Sequence, residues 1–455
     1  MGDMSSLVIA GGRVIDPANQ IDRVTDVVLE EGRVKKIVDA GSVNGVPKYD
    51  ASGCIVTPGL IDVHVHLREP GQEEKETIAT GAAAAVQGGF TTICCMPNTE
   101  PTIDDDGRID FVYHQAELAD MANVFPLGAI TRGRMGKELA EIAIMAASGA
   151  VGFSDDGAAV ASAGVMSKAL AYIAMTGKVL MQHCEDPELG GGVMNQGALA
   201  TRMGLTGWPR VAEEAIIQRD ILLNLGQGIG CRYHVQHVSS GGSVELIRRA
   251  RQDLFGQAHI TAEVCAHHLL LTEQRCEGYD TLFKVNPPLR TQRDIEQLLA
   301  AVADGTITIL ATDHAPHTRE EKELEFAEAP YGMTGLECAV PLYIQALVES
   351  GTINWPAMVA MMTMNPARLC DLRGKGELAP GADADVTVID PRLKWTIDAE
   401  TFASKGRNCP FHGWSVTGRP IATIVGGHIK MNRDPQRLKT AKRRMSGTRK
   451  TAKNP

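Results

Sequence analysis

The chain has 455 residues, of which 44% are hydrophobic and 22% charged, enough for a large catalytic domain plus a smaller one in an ordinary globular composition. Its 45 Lys and Arg against 55 Asp and Glu leave a net charge of −10, which speaks against a body built to bind nucleic acid. No apolar run approaches membrane-spanning length, Met1-Gly2-Asp3-Met4 starts no secretory signal, and ten scattered cysteines without a Cys-x-x-Cys fit reduced, cytoplasmic usage.

Residues 5 to about 56 read as short strands and Gly-containing turns: Leu7–Ala10 into Gly11-Gly12, then Asp26–Glu30 into Glu31-Gly32. That spacing predicts β-hairpins with too thin a core to stand alone. Near the other end, Val386–Asp390 and the Ala422–Lys430 repeat of strand, Gly-Gly, strand supply a partner. Residues 1–56 and 371–432 are therefore expected to form one small composite β-sandwich domain, with 57–370 inserted between them.

The insert opens on Leu60-Ile61-Asp62-Val63-His64-Val65-His66-Leu67-Arg68, an apolar strand that breaks at Glu69-Pro70-Gly71. Residues two apart in a strand share a face, so His64 and His66 project together as a metal-ligand pair, with Arg68 beyond them. A helix-like stretch at 75–86 and a strand at 90–96 follow. Strands recur at 151–154, 179–182, 233–236, 260–264 and 307–311, with helical stretches between them. This alternation predicts a (β/α)8 barrel, with its site at the strand C-termini. A doubly wound sheet is the runner-up, without a Gly-x-Gly-x-x-Gly to support it. From Arg433 to Pro455 basic residues crowd the chain, and a disordered tail is expected.

The strand ends carry the chemistry. His64 and His66 end the first; Asp155-Asp156, His183, His237 and Asp313 end four others. Each alone reads as a buried histidine or a helix-capping aspartate; five strand ends together point to metal. Six N/O ligands exceed one tetrahedral zinc and suit two ions sharing a bridge, for which Asp155 or Asp156 qualifies. His234 should point away from His237, His267-His268 could pack behind the site, and His317 could curl back over it.

Gly59–Gly71, Cys95–Pro101, Phe153–Gly157, His183–Asp186, His237–Ser240, Ala311–His317 and Ser404–Phe411 together resemble, in order, the motifs of class I dihydroorotases of the amidohydrolase superfamily. The resemblance implies a zinc enzyme that reversibly closes N-carbamoyl-L-aspartate to L-dihydroorotate, a step of pyrimidine biosynthesis. It implies His64 and His66 on one zinc, His183 and His237 on the second, Asp156 as bridge and Asp313 as ligand and proton shuttle. It makes His66, Arg68, Asn98, Asn286, His317, Tyr331 and Gly332 substrate contacts. No Lys lies near Phe153–Gly157, so a carboxylated lysine bridge is not expected. Tyr331 and Cys265-Ala266 depart from the Phe and Thr-Pro common in the family. A homodimer and an aspartate transcarbamoylase complex are partner arrangements the family leaves open. The competing readings are a hydantoinase or allantoinase, whose substrates lack the carboxylate Arg68 would bind, and a catalytically dead transcarbamoylase scaffold, which would have lost ligands.

Overall fold

The structure is a computed structural model that describes residues 6–439. It begins with strands β1 (Ser6–Asp16), β2 (Ile21–Glu30), β3 (Arg33–Val38), β4 (Lys48–Asp50) and β5 (Ile55–Pro58). Glu31 and Gly32 both take positive φ, 50° and 74°, the two-residue turn whose twist matches antiparallel strands. Gly11-Gly12 does not turn the chain as the hairpin reading expects. β1 runs straight through it with a register shift, because Gly11 at φ 72° bulges and donates its N–H to Asp26 Oδ1.

Gly59 passes the chain from β5 into β6 (Leu60–Val65); a Cβ there would lie 2.0 Å from Thr91 Oγ1, so only glycine fits. β6, β7 (Phe90–Cys95) and β8 (Asn123–Pro126) form a parallel three-stranded sheet. A second parallel sheet holds β9 (Gly152–Phe153), β10 (Val179–Gln182), β13 (Arg232–Val235), β14 (Ile260–Cys265) and β15 (Ile309–Ala311). A small ribbon, β11 (Met194–Asn195) with β12 (Gly207–Trp208), interrupts that run. Parallel bridges Gly128↔Phe153 and Val65↔His314 join the two sheets edge to edge, giving a ring of eight parallel strands. Helices between strands start on side-chain caps, as at Thr77, Asp105, Ser162 and Thr291, each satisfying a backbone N–H of the first turn. The adjacent Cys94 and Cys95 face opposite ways. Cys94 packs with Ile61, Val63, Met181 and Ile309, Cys95 with the main core.

The chain returns through β16 (Val386–Thr396), β17 (Ser415–Val425), β18 (His428–Asn432) and β19 (Leu438–Lys439). β16 pairs antiparallel with β5, so both ends share one sheet in the order β18-β17-β16-β5-β1-β2-β3, with β4 on β1 and β19 on β4. Leu7, Ile9, Val27, Val56, Val386, Val388 and Ile424 fill its core. Two segments depart from the sequence reading. The loop around Ser404–Asn408 leaves this sheet and packs on the barrel mouth, where Asn408 Oδ1 accepts from the His317 N–H at 3.1 Å. Arg433–Lys439, assigned to the tail, is held: Arg433 donates to Pro420 O and Gln87 O, Arg437 to Asp50 O, and β19 pairs with Tyr49. The rest of the basic tail lies outside the described residues. Among the described residues no helix is long and apolar enough to cross a membrane.

Candidate active site

β6 delivers His64 and, one step past its end, His66; the turns after β9, β10, β13 and β15 deliver Asp156, His183, His237 and Asp313. All six converge and are buried, none more than 5% exposed. His237 and Asp313, with Arg68, take positive φ of 31°, 48° and 61°. Such backbone is costly for residues with a Cβ, and here it turns side chains from the strand ends into one pocket.

Asp156 is the centre. Its Oδ1 lies 3.3 Å from His64 Nε2 and 3.6 Å from both His183 Nδ1 and His237 Nε2, while Oδ2 lies 3.4 Å from His66 Nε2. Two donor triads result, His64/His66/Asp156 and Asp156/His183/His237, each with ligand atoms within 4.8 Å of one another and sharing the one carboxylate. Asp313 Oδ1 joins the first triad, 2.9 Å from His66 Nε2 and 3.6 Å from His64 Nε2. Asp155, the other bridge candidate, turns away and accepts the Ile130 and Thr131 N–H groups at 2.8 and 3.0 Å. It holds the loop; Asp156 faces the site.

A divalent metal pair fits this donor set. Asp156 Oδ1 is buried without a hydrogen-bond partner, and His183 Nδ1 and His237 Nε2 face each other at 2.8 Å. Four imidazoles and two carboxylates are the N/O ligands borderline divalent ions prefer. The electrostatics agree. Burial pushes the Asp156 carboxyl up, but His64, His183 and His237 overcome it and hold it well below the ordinary range. Burial lowers His183, yet Asp156 and Glu185 carry it up to about 9. The pocket is arranged to hold positive charge.

The sequence reading missed what stands behind the ligands. Glu263 Oε1 takes the His64 Nδ1 proton at 2.5 Å, and its Oε2 takes that of His234 Nε2 at 3.0 Å. Glu185 Oε2 holds His183 Nε2 at 2.9 Å, and Asn98 Oδ1 lies 2.9 Å from His66 Nδ1. Such partners fix which ring nitrogen faces a metal. A lone carboxylate in the apolar strand Ile260–Cys265 was the available signal for Glu263. His234 points away from the ligands, as its spacing predicts, but reaches the site through Glu263.

Arg68 lies beside this cluster, 8% exposed, and among the described residues it has no ion-pair partner. Its Nε donates to Pro316 O at 3.2 Å, and its Nη2 lies 3.4 Å from His317 Nε2. Burial and the Arg68 charge push His317 down to about 3, so its Nε2–H donates as a neutral ring to Tyr331 O at 2.8 Å. Asn286 reaches Glu185 at 2.8 Å and His183 at 3.3 Å. Tyr331 is different: its hydroxyl is spent on Gly192 O at 2.9 Å, and its carbonyl is what meets His317. Gly332 enters through backbone, its O accepting from Asn408 Nδ2 at 3.1 Å; a Cβ there would lie 2.9 Å from Ala315.

Comparison with known proteins finds relatives along nearly the whole chain. A family model described as dihydro-orotase-like matches residues 53–243. The dihydroorotase of Pelotomaculum thermopropionicum is 50% identical over 93% of this chain and 98% of its own. That of Syntrophotalea carbinolica is 45% identical over 93% and 98%. Among solved structures, the L-hydantoinase of Arthrobacter aurescens superposes with a TM-score of 0.84 at 27% identity, covering 94% of this chain and 96% of its own. A D-hydantoinase superposes at 0.78 with 22% identity over 94% and 95%, a likeness of fold. The chain is a cyclic amidohydrolase and belongs to the dihydroorotase family.

Proposed function

We propose that this chain interconverts N-carbamoyl-L-aspartate and L-dihydroorotate in the cytoplasm, with two zinc ions in the triads that share Asp156. The observation that carries the choice of substrate is Arg68, a buried guanidinium beside the two triads that has no carboxylate partner among the described residues. A buried unpaired cation is expensive, and a substrate carboxylate supplies the missing charge through two parallel N–H donors. Zinc held there supplies Lewis acidity, lowering the pKa of water and polarising a carbonyl. We assign Asn98, beside His66, and His317, beside Arg68, to the same anionic end of the substrate, and Asn286, beside His183, to the rest of it.

Asp313 moves the proton. His64, His66, His183 and His237 are committed as ligands, and Arg68 does not give up its proton. In ring opening Asp313 receives the proton of the attacking water and returns it to the leaving ring nitrogen; in closure it takes the ureido N–H proton. Burial alone would raise its pKa, but His64 and His66 hold its carboxyl far below the ordinary range, so it starts ionised and able to accept. Purified protein should turn over dihydroorotate and carry zinc in proportion to activity. Hydrolysis of hydantoins with no turnover of dihydroorotate would favour the hydantoinase reading, and zinc binding without turnover of either would favour the scaffold.

A further inference from the structure

A second cluster of metal-ligating side chains lies behind the first. Cys265 ends β14, and His267 and His268 follow on the short helix Ala266–Leu270. All three are at most 3% exposed, and one donor atom from each lies within 4.8 Å of the others. The cysteine is a free thiol.

The histidine nitrogens are set up for coordination. His268 Nε2–H donates to Pro287 O at 3.0 Å, which leaves Nδ1 as the bare nitrogen; that atom is buried with no partner. His267 Nε2 is likewise buried and unpartnered. A buried polar atom left unsatisfied is destabilising, and two on rings 4.3 Å apart need a reason. An imidazole whose far nitrogen is tied to a backbone carbonyl is the usual arrangement of a histidine ligand. Burial holds both rings neutral, His268 down to about 3 and His267 also far below its ordinary value, so their lone pairs are free.

We propose that Cys265, His267 and His268 form a third metal site for a monovalent thiophilic ion of the copper(I) class, separate from the catalytic pair. One donor is a soft thiolate and two are imidazoles, a set that copper accepts. Charge points the same way: one thiolate neutralises one monovalent cation, whereas a divalent ion would leave a net positive charge in a buried place. A structural zinc wants four ligands. The adjoining cavity, lined by His267, Thr312 and Met333, is only about 10 Å³, barely the room one water needs. The thiol proton leaves to solvent as the ion binds. The site does not depend on which cyclic amide the enzyme opens.

The test uses zinc-loaded, full-length protein titrated anaerobically with Cu⁺ against the chelator bicinchoninate, with copper and zinc per chain read by elemental analysis. Wild type should retain one more copper per chain than Cys265→Thr and than His268→Gln, with zinc content unchanged. Turnover of the copper-free variants reports that they are folded. Equal copper retention by wild type and both folded variants would overturn the site. So would copper uptake matched by loss of zinc. A third equivalent taken up as Zn²⁺ in preference to Cu⁺ would overturn the choice of ion.

Discussion

Two imidazole clusters sit on this barrel at equal depth, and their side chains behave in opposite ways. Around Asp156 the histidines are interleaved with carboxylates: His183 is carried up to about 9, and Glu263, despite burial, is held down to about 2 by His64 and His234. Around Cys265, among the described residues, no carboxylate is hydrogen-bonded to either ring; burial outweighs the more distant Asp313, and His268 falls to about 3. Both clusters are buried to within 5% exposure, so depth does not separate them. What separates them is whether a buried group has an opposite charge beside it. The first cluster is thereby matched to divalent cations and an anionic substrate, the second to a soft monovalent ion.

The largest expected effect strikes the first cluster at the proton. Asp313→Asn keeps an oxygen near His66 but removes the base. General acid–base catalysis is worth roughly 10²–10⁴-fold, so kcat for dihydroorotate should fall at least that far while most zinc stays bound. His317→Asn should mainly raise KM. The reverse pattern would exchange the two roles. Next comes Arg68→Met. Removing one partner of a desolvated charge pair costs about 2–5 kcal/mol, so kcat/KM for dihydroorotate should drop by that much. A hydantoin without a carboxylate should be much less affected, and equal losses on both substrates would remove Arg68 from specificity.

The same contrast explains what could be read from the sequence. His64-Val65-His66 was legible because a two-residue spacing on an apolar strand leaves little choice of direction, and His183, His237 and Asp313 because each directly follows a recognisable strand. The strand Asn123–Pro126 was not: four residues with only Val124 and Phe125 as apolar signal give no period to detect. Asp155 and Asp156 are neighbours in sequence, and only the Ile130 and Thr131 N–H groups, brought over by the fold, decide which of them faces the site. Glu263 and Glu185 act on histidines far away in the chain or around a turn, so neither spacing announced them. Gly11-Gly12 read as a turn because glycine pairs serve bulges and turns alike.

Glu263→Gln tests whether the carboxylate sets the character of the first cluster. Glutamine keeps an acceptor for His64 Nδ1–H and His237 N–H but loses the charge that supports His64 and His234. Replacing such a supporting group typically costs 10- to 100-fold in metal affinity, to be measured by chelator competition for zinc. Unchanged zinc affinity would mean that geometry alone defines the first cluster.

The smallest effect on catalysis comes from a buried group that shows the rule in reverse. Glu337 is 9% exposed and has no ion-pair partner among the described residues. It accepts the Ser404 N–H at 3.1 Å, but burial pushes its carboxyl up to about 7, with nearby Glu76 adding to the rise. The folded chain therefore holds this proton more tightly than the unfolded one. Its contribution to stability is complete below the ordinary carboxylate pKa of about 4.3. It is lost as pH rises through about 7, because ionising the folded state then costs more than ionising the unfolded one. Glu337→Gln keeps the acceptor for Ser404 and never ionises. It should stabilise less at pH 5.5 than at pH 8.5, the gap being on the order of 2 kcal/mol by the part of the shift crossed between them, with kcat unchanged. Chemical denaturation at the two pH values decides it. A variant less stable at pH 8.5 would mean that the ionised Glu337 has a cation holding it in place, and that burial without a partner is not what sets its titration.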